Sequence, residues 1–115
     1  MVGSIYFIRM PYSDFKEFKG RPILVFKGRP ILVFKVIDKD DLLVLPLTTN
    51  LQRDGIVITK DDLKKGSLKK SSVVIVPKLT AIDISLIKEE QFIARLKTKS
   101  FNKISKEICL KFECI

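Results

Sequence analysis

The chain has 115 residues, enough for one hydrophobic core and too few for two independent ones. Hydrophobic residues make up 46% and charged residues 30%, the balance of a folded soluble domain, and no segment approaches the roughly 20 consecutive apolar residues of a membrane span. Lys and Arg number 22 against 13 acidic residues, and the resulting charge of +9 creates a positive field that makes nucleic acid the first partner to consider. The absence of histidine excludes Ser-His-Asp and Cys-His catalysis, the usual zinc hydrolase sites and paired-histidine ribonuclease chemistry. Cys109 and Cys114 fit neither a disulfide framework nor a four-ligand zinc pattern, so both read as reduced thiols. The first residues, MVGSIYFIRMPYSD, lack the order of a secretory signal, which makes a cytoplasmic address the default.

In chain order, Ser4 to Met10 is rich in β-branched and aromatic residues and predicts a strand running into a loop from Pro11 to Lys19. An anomaly follows. The octapeptide FKGRPILV occupies Phe18 to Val25 and recurs unchanged at Phe26 to Val33. Eight is even, so sliding a strand by one copy keeps every side chain on its original face, and alternation alone cannot choose between the copies.

The turn can choose. VFKVID leads through Lys39 and Asp40 into LLVLPLT, the pattern of a hairpin folding about Asp38 and Lys39. Residues whose numbers sum to 77 then face one another, which sets Arg29 opposite Thr48 at the open end. Arg21 lies eight residues earlier, about 26 Å along an extended strand.

Downstream, Gly55 to Thr59 predicts a strand, Lys60 to Lys65 a polar helical turn ending at Gly66, and Ser72 to Pro77 a further strand. Asp83 or Ser85 is placed to cap a short helix reaching about Glu90, and Phe92 to Leu96 alternates as a strand. From Ser100 onward, Phe101, Ile104, Ile108 and Phe112 mark one face of a helix, with Glu107 and Lys111 spaced as a surface pair. Short strands with minor helices and one C-terminal helix predict a mainly β single domain over residues 1–115, a twisted antiparallel barrel that hides its strand edges.

The order of fragments resembles the MazF/PemK toxins of the CcdB-like fold. Gly-Arg-Pro opens an aliphatic strand, twice here; Leu45-Pro46-Leu47-Thr48-Thr49 ends the next; Gly66-Ser67-Leu68, Ser72-Val73-Val74 and Thr80-Ala81-Ile82-Asp83 follow in sequence. The resemblance implies a small SH3-like antiparallel β-barrel with short helices and a C-terminal helix. It also implies a metal-independent, cofactor-free endoribonuclease acting on single-stranded RNA as a homodimer, held in check by a cognate antitoxin. A related branch of that fold is noncatalytic and binds a protein target such as gyrase. The eight-residue duplication is not part of the family pattern, and Glu17, matching the loop carboxylate ahead of Gly-Arg-Pro, adjoins the first copy.

RNA carries its own nucleophile, so cleavage requires in-line geometry, proton transfer and a cation at the phosphoryl oxygens. A guanidinium grips two phosphate oxygens at once. The resemblance implies Arg29 and Thr48 as the catalytic pair, which the hairpin arithmetic independently makes neighbours, with Arg21 as the alternative arginine. The accompanying RNA-binding set is Glu17, Lys19, Thr49, Ser72 and Lys78. Lys64, Lys65, Lys69 and Lys70 read either as a solvated turn or as a track for an RNA backbone. Tyr12, Phe15 and Phe18 are open to base stacking or antitoxin contact, and Phe15 and Phe18 equally to the core.

Overall fold

Two uninterrupted apolar runs, ILVF at 31–34 and LLVLPL at 42–47, form the centre of a strongly curled antiparallel half-barrel. The computed structural model describes residues 1–18 and 21–112, with side chains described for 1–9 and 28–112. Among the described residues the strands are β1 (Ser4–Phe18), β2 (Arg21–Val36), β3 (Asp41–Thr48), β4 (Ile56–Ile58), β5 (Leu63–Gly66), β6 (Ser72–Val74), β7 (Thr80–Asp83) and β8 (Phe92–Leu96). Helix α1 (Thr98–Lys111) follows. The spatial order is β4-β6-β3-β2-β1-β8-β5, with β7 beside β3. Among the described residues no helix is long and apolar enough to cross a membrane.

The central runs are continuous because both faces of the sheet are covered. Ile5, Leu32, Leu45 and Leu47 point to one face and pack with Ile104 and Ile108 of α1. Tyr6, Ile8, Ile31, Val33, Leu42 and Val44 point to the other, beneath Ile84, Leu86, Ile87 and Phe92. Ile5, Ile31, Leu32, Leu42 and Leu45 are fully buried, each contributing about 1.5–3 kcal/mol of transfer free energy. On its edge away from β2, β3 pairs with β7 from Asp41 to Val44 and with β6 at Leu47 and Thr48. Pro46 falls where the partner changes, so its missing N–H costs no ladder bond there.

The duplication is resolved by register. Leu32 pairs with both Ile5 of β1 and Leu45 of β3, so the second copy holds the interior position. The first copy extends the β1/β2 hairpin outward, Asp14 facing Val25 and Phe18 facing Arg21. This corrects the loop expected from Pro11 onward: β1 continues through Phe18 because the extra copy offers it a complementary strand. Between Met10 and Ser13 the register shifts, and the two residues left over include Pro11, which has no N–H to donate. Lys19 lies outside the described residues.

Other expectations are adjusted in detail. Lys60–Asp62 is a single 3₁₀ turn capped by Thr59, after which Leu63–Gly66 is strand β5, drawn into the ladder by β8. Strand β6 stops at Val74, and Val76–Lys78 is a 3₁₀ turn with Pro77 inside it. The helix expected to reach Glu90 is two 3₁₀ turns, Ile84–Leu86 and Glu89–Gln91, the first capped by the Asp83 carboxylate accepting from the Ser85 N–H at 2.8 Å. Helix α1 buries Ile104 and Ile108, but Phe112 is exposed. Lys111 bonds Asp54 at 2.8 Å in place of the expected Glu107, a surface contact worth at most about 1 kcal/mol.

Since the barrel uses one copy only, deleting residues 18–25 is expected to keep the barrel's circular dichroism signature and to remove only the contribution of the outer β1/β2 ladder. The melting temperature should move by less than about 4 °C, under roughly 1 kcal/mol. Loss of cooperative unfolding in that variant would show that the outer copy is needed for the core.

Candidate functional site

The open end of the β2/β3 hairpin gathers the hydroxyls and guanidinium singled out in the sequence. Ile31 faces Pro46, Leu32 faces Leu45 and Val33 faces Val44, pairs that all sum to 77. A register shift after Val33 alters the sum only toward the turn. Continuing two residues outward sets Arg29 level with Thr48. Arg29 is also fixed by β1, where it faces Ile8, while Thr48 faces Val73 of β6. Arg29, Pro30, Leu47, Thr48, Thr49 and Ser72 line one concave pocket of about 270 Å³.

Local hydrogen bonds define what each group can offer. Thr48 Oγ1 accepts from the Asn50 N–H at 3.2 Å, which leaves its hydroxyl proton to donate into the pocket. Ser72 is buried, and its hydroxyl donates to the Lys70 carbonyl at 3.1 Å, so it can only accept from a ligand. Arg29 is half-buried, and among the described residues no carboxylate lies within ion-pair distance of it. Arginine, threonine and serine on one small concavity suit an anion carrying several acceptor oxygens.

The remaining expected residues lie elsewhere. Arg21 pairs with Phe18 at the outer end of the hairpin, eight residues from Arg29, and Glu17 faces Pro22 there. The side chains of Arg21, Glu17, Tyr12, Phe15 and Phe18 lie outside the described set, as do Lys19 and Cys114. Lys78 is exposed at the end of its 3₁₀ turn, its carbonyl accepting from Thr80 Oγ1 at 2.9 Å, and it does not line the pocket. Pro30 and Leu47, not among the expected site residues, supply the apolar walls. Among the described residues no cluster of three or more His, Cys, Asp or Glu is arranged to hold a metal ion.

A larger concavity, about 640 Å³, lies beside the start of α1 and includes Asp62, Lys97, Lys99 and Lys103. Its central carboxylate has a structural task. Asp62 accepts from the Thr59 N–H at 2.8 Å and from the Ser100 hydroxyl at 2.8 Å, tying the 3₁₀ turn to the helix.

Charge is distributed unevenly along β3. Asp38, Asp40, Asp41 and Asp83 crowd the hairpin tip, seven residues or about 23 Å from Thr48. Repulsion from Asp38, then desolvation and the charges of Asp83 and Asp40, holds the Asp41 carboxyl above its ordinary value. Asp83 is held below its ordinary value by the hydrogen bond from Ser85. The acidic tip therefore repels a polyanion that the Arg29 end attracts. No protein-family model and no curated protein sequence matches the chain.

The Asp41 shift fixes the sign of a pH effect. Ionisation of Asp41 is disfavoured in the folded state, so the penalty is complete above the raised pKa, shrinks as pH falls through it and is gone below the unfolded-state value. Asp41→Asn is expected to unfold at higher denaturant concentration than wild type at neutral pH. The two should coincide near about pH 3, below the ordinary carboxylate range. A gain that persists undiminished in acid would assign it to something other than charge.

Proposed function

We propose that this chain is a toxin endoribonuclease of the MazF/PemK type that cleaves single-stranded RNA without a metal. The observation that carries the reading is the placement of Arg29 and Thr48, from neighbouring strands, on one small pocket at the barrel rim. The order of Gly-Arg-Pro, Pro-Leu-Thr-Thr and the later fragments supports it, as does the net charge of +9.

In this mechanism the 2′-oxygen attacks phosphorus, the bond to the 5′-oxygen breaks, and the products are a 2′,3′-cyclic phosphate and a 5′-hydroxyl. The Arg29 guanidinium holds the nonbridging oxygens as charge builds on them, and the Thr48 hydroxyl donates a further hydrogen bond. Leu47 and Pro30 exclude water from one side and strengthen both interactions. No carboxylate or imidazole is among the groups lining the pocket, so the 2′-hydroxyl proton passes to solvent and the 5′-oxygen takes one from solvent. The protein acts in the cytoplasm as a homodimer, and an acidic, partly disordered antitoxin neutralises it by covering the basic rim.

Incubation of the purified chain with unstructured RNA in excess chelator is expected to yield cyclic-phosphate ends. Arg29→Ala and Thr48→Ala should each slow cleavage by about 10²–10³-fold, the scale for removing one preorganised donor. Arg21→Ala should cleave at the wild-type rate. If neither Arg29→Ala nor Thr48→Ala changes the rate, the site is elsewhere.

A further inference from the structure

Strand register creates a second group of polar and aromatic side chains that no spacing in the sequence reveals. Ser4 of β1 faces Arg95 of β8, and Arg95 faces Lys65 of β5, so the three stand in one row across three strands. In the adjacent row Tyr6 faces Phe92, their rings 5.8 Å apart and nearly perpendicular. These residues and Glu89 line a shallow cavity of about 350 Å³.

The internal bonding of the cluster leaves its cations outward. Arg95 Nη1 donates to the buried Ser4 Oγ at 3.4 Å, and the Tyr6 hydroxyl donates to Glu89 Oε1 at 3.4 Å. Burial, reinforced by Glu89, holds the Tyr6 phenol above its ordinary value and so protonated. Lys65 Nζ lies 5.8 Å from the centre of the half-buried Phe92 ring. Like charges directly opposite on neighbouring strands destabilise a sheet, yet Lys65 and Arg95 stand opposite each other. Among the described residues no carboxylate lies within ion-pair distance of either. Glu89 lines the same cavity but bonds Tyr6, so among the described residues the two cations stand opposite each other with no ion pair of their own, an arrangement that an anionic ligand relieves.

We propose that this cluster is a second subsite for single-stranded RNA, with Lys65 and Arg95 holding a phosphodiester and Phe92 stacking on the adjoining base. The substrate class rests on the nuclease reading above, and the placement agrees with it. Tyr6 and Arg29 lie on one face of the sheet, because Tyr6 faces Ile31 and Ile8 faces Arg29 on strands that alternate in step. The two groups therefore stand on the same side of the sheet, the side on which Ile84, Leu86, Ile87 and Phe92 pack. An acidic peptide would satisfy the two cations but has no general use for the ring, whereas every nucleobase has a face to stack.

The test measures binding of a short, unstructured 2′-O-methyl oligoribonucleotide, which lacks the attacking hydroxyl, by fluorescence anisotropy over a range of salt. Replacing both cations, Lys65→Ala with Arg95→Gln, is expected to weaken binding and to lower the slope of log Kd against log salt by about 0.7, one single-strand phosphate contact. Phe92→Leu keeps an apolar side chain over the core and should weaken binding about fivefold with the slope unchanged. Thermal melts of each variant check that the fold is retained. An unaltered slope in the double variant overturns the subsite. So does undiminished binding by Phe92→Leu together with displacement of the oligonucleotide by polyglutamate, which would assign the surface to an acidic protein. Wild-type binding without cleavage of ordinary RNA would remove the nuclease and leave the subsite standing, whereas cleavage with an unaltered slope would remove the subsite alone.

Discussion

Strand β2 can lie between β1 and β3 in only one register at a time, and its two identical octapeptides compete for that position. Leu32 is the fixed point: it faces Ile5 on one side and Leu45 on the other, and all three are fully buried. Because the copies are identical, side-chain packing does not distinguish them. What does is the length of chain to the turn, where the Asp38 carboxylate accepts from the N–H groups of Asp40 and Asp41 at 2.8 and 2.9 Å. Seating the first copy inside would move eight apolar-rich residues into that turn, while the observed register moves them into a ladder with β1. Backbone groups that would otherwise depend on water are paired there instead.

The same register determines where chemistry can sit. With both faces of the central strands covered, charged side chains are confined to strand ends and to the outer strands. Acids gather at one end of β3, and Arg29 with Thr48 marks the other. The rim pocket thus follows from the core: the apolar runs stop at Pro30 and Leu47, and the residues next beyond them are the polar ones.

How much of this was legible depended on sequence separation. The hairpin sum of 77 required only a turn position, and the pairs Ile31 with Pro46 and Val33 with Val44 follow it. Strand β8 was visible because Phe92–Leu96 alternates, and α1 because Ile104 and Ile108 recur at helical spacing. Strand β5 was not, since Lys64 and Lys65 show no period and its strand character comes from β8, about 30 residues away in sequence. Gly66 ends β5 with φ +80°, where a Cβ would press on the Ile93 carbonyl, so the break was readable although the strand before it was not. The Ser4, Arg95 and Lys65 row joins three distant segments, and no local pattern announces it.

The two polar groups are tied together by strand parity. On β1, Ser4, Tyr6 and Ile8 alternate onto one face; on β2, Arg29, Ile31 and Val33 do the same, and the ladder between them runs without a shift from Ile5 to Met10. Any change of register by an odd number of residues would send Arg29 to the side of Ile5 and α1, away from the Tyr6 face. An eight-residue duplication is among the insertions that avoid this, because it moves the strand by whole pleats. The apolar face, the polar rim and the row beside Tyr6 therefore keep their mutual orientation whichever arginine the hairpin presents, and the length of the repeat preserves the face while the Asp38 turn selects the residue.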